Sequence, residues 1–530
     1  ASLEASEEAY RKGRYVGAER GYRKLLWEKP LRAKAAVGLA RALAAQGKYK
    51  EAVTALENAE EVGADAADWQ LAMANALAAV GRYGDALTHA DRAFELRPRW
   101  APAILARGRL LETLGRNDEA LKTYAAMSDI VAGEEYKKDA RGLVALGLIM
   151  DRDARLRGKA ASERAENILH NYLQRAYQKA DPGYWPAHVA AGKFLLSKHK
   201  KNGAAEEFKL AEKLNPNVPE VYVGRASMLL ERWDFDGCMK QLEKALKINP
   251  NHPGALVLKG ECLMLWRKFD AVPQPVEKVL EVNPNHPEAL SLAAARHIRL
   301  GEPDKAEEYV KRVKAVNPRC AELDLTIGKW LSAGRQYEKA EGYYKRALET
   351  DPNLVEAVTS LGLLHMQTGE EDKAREVLAR AREIDDYRQD VLNYVNLLKD
   401  MEDFAVRETE HFIIKVDGEL DRVLLDLVTE EAERIYTEVC RDFAHEPSKK
   451  TLVEVFPDHE GFSVRISGRG WIGTVGASTG RVIAMVAPHE KRSQFKTYNW
   501  ATVLRHEFTH TVTLSATNDR IPHWFTEACA

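Results

Sequence analysis

"SLGLLHMQTGEEDKAREVLARAREIDD", residues 360–386, decides the fold. Its small and apolar residues recur at helical spacing in two runs, separated by Gly369 and the acidic residues that follow it. Gly362 is the small contact residue of the first run. Ala374, Leu378 and Ala381 line the buried face of the second. The stretch predicts two amphipathic helices joined by a tight turn. Such a pair cannot bury its apolar face alone, so it needs stacked neighbours of the same kind.

Those neighbours follow at a fixed interval. Gly13, Gly47, Gly81 and Gly115 stand 34 residues apart, the first three in "GRY", "GKY" and "GRY", and Ala18, Ala52 and Ala86 each come three residues after the aromatic. Pro216, Pro250, Pro284, Pro318 and Pro352 keep the same interval, with Asp386 at the next position. This pattern resembles the tetratricopeptide repeat. Eleven units begin near residues 1, 33, 67, 101, 135, 185, 219, 253, 287, 321 and 355. The fifth, 135–184, is irregular: it runs 50 residues, and its charged insertion "DRDARLRGKAASER" (151–164) is expected to lengthen the helices or the turn between them. His252 and His286 recur after "NPN" at the 34-residue interval and read as turn residues, not ligands.

The resemblance implies a mostly α chain, a right-handed α-solenoid over residues 1–400. "YRQDVLNYVNLLKDMEDF" (387–404) is expected to form a helix that caps the last apolar face. It also implies a concave groove, lined by the first helix of each unit, that takes a protein or peptide. Carrying the family's groove position onto this sequence gives Arg41, Asn75, Arg109, Lys193, Ser227, Glu261 and Lys329. Their chemistry is mixed, and the four basic residues are too dispersed for more than a hint of an acidic partner.

The bulk numbers narrow the partner. With 78 basic and 80 acidic residues the formal charge is −2, so no global field favours nucleic acid or an anionic membrane, and no nucleic-acid partner is expected. No apolar run approaches the roughly 18 to 20 residues that cross a bilayer, so no transmembrane segment is expected. "ASLEASEEAY" lacks the regions of a signal peptide. The chain is soluble as given, and export stays open if a targeting segment preceded Ala1. The five cysteines (Cys238, Cys262, Cys320, Cys440 and Cys529) are odd in number and scattered, which fits no disulfide framework.

Beyond residue 400 the period vanishes and a second domain, 401–530, begins. "HFIIKV" (411–416), "TLVEVF" (451–456) and "RVIAMVA" (481–487) read as strands, and "LDRVLLDLVTEEAERIYTEVCRDF" (420–443) as a long helix. "GRGWIGTVGASTGR" (468–481) lacks the spacing and lysine of a phosphate loop and reads as a hairpin. A helix from about Tyr498 to Leu514 carries "LRHEFTH" (504–510), and Pro522 opens another.

On a helix, His506 and His510 share a face, so two imidazoles can meet one ion. A catalytic zinc site needs a third protein ligand, and Glu527, 17 positions after His510, is the candidate. "VLRHEFTH" followed by "IPHWFTEA" resembles the gluzincin metallopeptidases of the peptidase MA-like group, a resemblance covering about 120 residues. It implies a partial α+β zincin-like domain in which His506, His510 and Glu527 bind zinc and Glu507 is the general base of an endopeptidase. His523 is expected beside or outside the ligand set, and Cys529 as a buried thiol. Two departures stand out: Ala528 replaces the family's glycine, and the downstream helices that supply an oxyanion donor in relatives are not among residues 1–530. The domain is therefore expected to hold zinc and to hydrolyse peptides poorly. The alternative is a protein-binding scaffold with a degenerate peptidase domain.

Overall fold

The computed structural model describes residues 2–131, 133, 135–468, 472–488 and 498–530. It divides into two compact units: Ala1–Ile327 with Thr350–Asn353, and Gly328–Glu349 with Leu354–Ala530.

The first unit is a stack of antiparallel helix pairs. Typical pairs are Ala67–Ala79 with Tyr83–Leu96 and Pro219–Leu230 with Phe235–Ile248. The turn inside each pair places one residue at positive φ, and these residues repeat every 34 positions: Gly13, Gly47, Gly81 and Gly115, then His199, Trp233, Arg267 and Gly301. The irregular fifth unit has a first helix of 17 residues, Ala140–Leu156. Its second helix starts at Ser162–Asn167 and continues with wider π-type turns through Ile168–Gln174 and Ala176–Ala180. The insertion is absorbed by both helices.

Within this unit the array returns on itself, and the two repeating series meet. The Asn215 side-chain amide donates to the Tyr15 hydroxyl at 3.1 Å, and Asn217 donates to the Gly13 carbonyl at 3.2 Å. The same contacts recur one repeat on, from Asn249 to Tyr49 at 2.9 Å and from Asn251 to Gly47 at 3.0 Å. They recur again from Asn283 to Tyr83 at 3.0 Å and from Asn285 to Gly81 at 3.1 Å. A Cβ on any of Gly13, Gly47 or Gly81 would fall onto the facing asparagine Oδ1, so glycine is required there for space as well as for φ. Asn353 closes the series by donating to the Leu156 carbonyl at 3.2 Å. The "NPN" segments thus form a ladder joining residues some 200 positions apart.

The second unit carries a five-stranded sheet in the order β1-β2-β3-β5-β4: β1 Phe404–Glu408, β2 Phe412–Asp417, β3 Thr451–Phe456, β4 Gly476–Ser478 and β5 Val482–Val486. The three central strands are parallel and both edges antiparallel. On one face, Phe412, Ile414, Val453, Val455, Ile483 and Met485 pack under the long helix Arg422–Phe443 and the helix Trp500–Ala516. On the other face, Phe456, Ala484 and Val486 meet the helix His459–Ser467, the helix Gln389–Asp400 and the last repeat. β3 is buried throughout, so its one charged residue needs an internal partner: Glu454 pairs with Arg465 at 2.6 Å, both wholly buried.

Two features differ from the sequence reading. β1 and the helix His459–Ser467 were not anticipated, because each is short and neither carries a clean alternation. The change from helix pairs to sheet falls at Phe404, near the expected boundary of 400, whereas the compact units divide near residue 328. The reason is packing: Met366, Ala374, Leu378, Tyr394, Leu397 and Leu398 share one core with the sheet. The helix Gln389–Asp400 accordingly serves two neighbours, Val391 packing on the last repeat and Tyr394 and Leu397 on the sheet side. In the glycine-rich segment, β4 pairs with β5 as a hairpin, while residues 469–471 lie outside the described residues.

Candidate metal centre

The helix Trp500–Ala516 begins where the Asn499 side chain accepts the backbone N–H groups of Ala501 and Thr502 at 3.1 and 3.2 Å. Leu504, Phe508 and Val512, four apart, enter the sheet core, and Phe508 tilts against Phe412 and Tyr436. With that stripe fixed, His506 and His510 emerge one turn apart on a neighbouring face. The helix tolerates its threonines because their hydroxyls bond back one turn: Thr509 donates to Arg505 at 2.8 Å and Thr513 to Thr509 at 2.9 Å.

Asn518 and Asp519, both at positive φ, turn the chain, and Pro522 opens the short helix His523–Cys529. Thr526 is its one buried residue, and Glu527 follows at the histidines. The Nε2 atoms of His506 and His510 stand 3.2 Å apart, and they lie 3.7 and 3.6 Å from the Glu527 carboxylate oxygens. One ligand atom from each of the three residues falls within 4.8 Å of the others. Tetrahedral zinc at 2.0–2.1 Å from two imidazole nitrogens would set them about 3.3 Å apart. The spacing fits that ion.

The hydrogen bonds behind His510 define its tautomer. Thr513 spends its proton on the Thr509 carbonyl, so at 2.7 Å from it Thr526 must donate, and Thr526 Oγ1 is left to accept from His510 Nδ1 at 2.9 Å. Nδ1 therefore carries the proton, and Nε2 turns its lone pair toward His506 and Glu527. Burial pushes His510 down to about 4 against the charge of Glu527, so the ring is neutral at pH 7.

Glu507 is buried beside this cluster, facing Gly476 on edge strand β4, where an added Cβ would lie 3.2 Å from its Oε1. Burial, helped by the charge of Glu527, pushes its carboxyl up to about 7, opposed by Arg335 and a backbone hydrogen bond from Ser478. Arg335 donates to the Ser478 carbonyl at 3.3 Å. It sits at φ 59° on a turn position that is glycine at 301 and 369. Sequence reading missed Arg335 and Thr526. Arg335 had a signal, a bulky residue at a phase of the repeat where glycine is common, whereas Thr526 had none. His523 stands half-exposed, 3.5 Å from Glu527. Cys529 is half-buried, not buried as expected, because its seven-residue helix buries only Thr526.

The groove candidates sit on the first helices of their pairs. Arg41 pairs with Glu7 at 3.3 Å and lies over the Tyr10 ring. Asn75 and Arg109 line one cavity, and Arg41 and Asn75 another. Against burial, a hydrogen bond from His252 and then the charge of Lys193 hold the Glu220 carboxyl low. Ser227 and Glu261 follow on later helices of the same unit, while Lys329 belongs to the other unit.

Models of the tetratricopeptide repeat match residues 33–58, 71–134 and 331–392. No curated protein matches the sequence. Among solved structures, yeast Tom70 is similar at 17% identity, covering 70% of this chain and 89% of that one, with a TM-score of 0.34. The human IFIT1 dimer with PPP-AAAA is similar at 16% identity, covering 72% and 95%, with a TM-score of 0.37. The Cut9–Hcn1 hetero-tetramer of APC/C is similar at 12% identity, covering 74% and 95%, with a TM-score of 0.31. Residues 393–530, which include both histidines and Glu527, lie outside the three repeat matches.

Proposed function

Because this chain is a tetratricopeptide-repeat protein, we propose that its repeats form a scaffold for a protein or peptide partner and that its C-terminal unit is a zinc-dependent endopeptidase centre. The observation that carries the second part is the convergence of His506, His510 and Glu527, with the His510 lone pair held toward the other two by Thr526. Zinc bound there would supply Lewis-acid polarisation of a peptide carbonyl. His506, His510 and Glu527 would hold it. The Glu507 carboxylate takes a proton from water and returns it to the departing amine, and burial against β4 keeps that carboxylate from wandering. The expectation that nucleic acid is not a partner rests only on the net charge of −2. Among the described residues no helix is long and apolar enough to cross a membrane.

One observation favours the second reading, a scaffold whose centre is inactive. The side chains of His506 and Glu527 are 39% and 44% exposed, so water reaches the centre freely and the electrostatics of catalysis are weakened. Hydrolysis of an unstructured protein by the wild type and by Glu507→Gln, each with zinc measured, separates the two. The endopeptidase reading expects slow cleavage by the wild type and none by Glu507→Gln at equal zinc. Cleavage undiminished in Glu507→Gln overturns the assigned base, and zinc without cleavage in either favours the scaffold.

A further inference from the structure

The edge strand that walls the candidate centre has little support of its own. β4 is three residues long, Gly476–Ser478, and pairs on one side only, with β5. So short a strand is held in place by what packs around it. Its ladder bonds pass on either side of Ser478: Thr479 donates its N–H to Val482 at 2.9 Å, and Val475 accepts from the Val486 N–H at 3.0 Å. By the alternation of an antiparallel pair, the N–H and C=O of Ser478 therefore point away from β5, toward the open edge. Both are engaged. The N–H serves the Glu507 carboxylate, and the C=O accepts from Arg335 at 3.3 Å. Gly476 lies so close to the same carboxylate that an added Cβ would stand 3.2 Å from Oε1. Where β4 sits thus fixes where Glu507 sits.

What fixes β4 comes from a repeat. Arg335 stands 34 positions after Gly301 in the series of positive-φ turn residues, and Tyr337 follows two positions later. In the first unit the same two turn positions dock a corner of the ladder: Gly13 accepts from Asn217, and the Tyr15 hydroxyl donates to the Asn217 carbonyl at 2.8 Å. In the second unit they dock the β4–β5 hairpin. Tyr337 is buried and donates to the Thr479 carbonyl at 3.1 Å, while the Thr479 hydroxyl donates at 2.7 Å to the Gln367 carbonyl of the helix Val355–Thr368. Glu338 pairs with Arg481 on the other side of the hairpin turn. Glycine is needed where an asparagine faces the turn, as at Gly13. At 335 the group in reach is the Ser478 carbonyl, and an arginine spans the gap to it.

We infer that Arg335 and Tyr337 are positioning residues for the proposed reaction: the tenth repeat holds Ser478, and Ser478 holds Glu507 where its carboxylate can take a proton from water beside His506, His510 and Glu527. This role rests on the endopeptidase reading and deepens it, because the repeats then do more than receive a partner. Their last turns become part of the centre. Neither residue belongs to the zinc-ligand set, so metal uptake is independent of both. Losing the Arg335 contact frees the Ser478 carbonyl and lets the three-residue strand shift, which misplaces Glu507 and slows the proton transfer while leaving substrate affinity alone.

Arg335→Met, Arg335→Lys and Tyr337→Phe in the full chain test this beside the wild type and Glu507→Gln. Zinc per chain should be equal in every protein. For cleavage of an unstructured protein, kcat should fall about tenfold to a hundredfold in Arg335→Met with KM within about twofold, fall less in Tyr337→Phe, and be largely restored in Arg335→Lys, whose ammonium can donate to the same carbonyl. In cobalt-loaded protein the visible absorption senses the carboxylate beside the ligands, so Arg335→Met should move it in the direction that Glu507→Gln does. An arginine that only steadies its turn would leave kcat and the cobalt spectrum at wild-type values, and that result at equal metal content overturns the positioning role while sparing the endopeptidase reading. Should the wild type hold zinc without cleaving, the cobalt spectrum decides alone by the same criterion. A wild type that takes up neither metal, or cleavage undiminished in Glu507→Gln, overturns the reading and the positioning role together.

Discussion

The inter-turn ladder and the candidate metal centre use polar side chains in opposite ways. In the first unit one device, an asparagine amide on a tyrosine hydroxyl and its partner on a glycine carbonyl, is copied at 34-residue intervals. In the second unit one set of residues, His506, His510, Glu527 and Thr526, occurs once. A copied device spreads stability over many equal contacts, so no copy is decisive and each is visible through its period. A cluster that occurs once has no internal copy against which it can be recognised.

The largest effect should fall on the unrepeated side. Phe508→Ala empties the centre of the core shared with Phe412 and Tyr436, and should cost about 3–5 kcal/mol in the stability of the sheet-bearing unit. Denaturant unfolding followed by hydrogen exchange of β2 and β3 measures this, and a loss under 1 kcal/mol would mean that the helix is not anchored there. One rung of the ladder should matter less. Asn249→Ala strands the Tyr49 hydroxyl and should cost about 1–3 kcal/mol. The double variant with Asn283→Ala should add nearly in full, since the rungs share no partner. Strong non-additivity in chemical unfolding would make the ladder one cooperative unit.

A pH effect comes next. Burial works against the ionised Glu112, but the charges of Arg152 and Arg155 outweigh it and hold the carboxyl below its usual range. A folded value below the unfolded one gives stability that is present above the ordinary carboxylate value of about 4.3 and is lost as pH falls through the lower folded value. The stability gap between wild type and Glu112→Gln should therefore shrink as pH drops from about 7 to about 3. A gap that widens on acidification would contradict it. The smallest effect is expected at Arg335. Arg335→Gly relieves roughly 1 kcal/mol of left-handed strain while losing one hydrogen bond of about 1 kcal/mol to Ser478, so stability should hardly move. A loss above 2 kcal/mol would show that the guanidinium carries more than this one contact.

The repeats were legible because period is a property of sequence: Gly13 to Gly115 and Pro216 to Pro352 place the helix pairs by themselves. What the period does not encode is which copies touch. Asn215 meets Tyr15 only because of the curvature accumulated over the intervening repeats, and the side chains alone give no sign of it. In the second unit β2, β3 and β5 were readable from apolar runs, whereas β1 and β4 are short edges with little alternation. For the candidate centre, the spacing of His506 and His510 gave two positions, and Glu527 followed as the carboxylate on the helix opened by Pro522, in agreement with the resemblance. The Thr526 relay that sets the His510 tautomer depends on how one short helix folds back, which a single threonine does not announce.

Zinc per chain, counted by mass spectrometry on protein purified without chelator, tests the central claim most directly. The wild type should carry about one zinc and His510→Ala well under a tenth of that, while the circular dichroism of the two stays the same. A His510→Ala protein that keeps its zinc, or a folded wild type that takes up none when zinc is supplied, would contradict the assignment of His506, His510 and Glu527 as a metal centre.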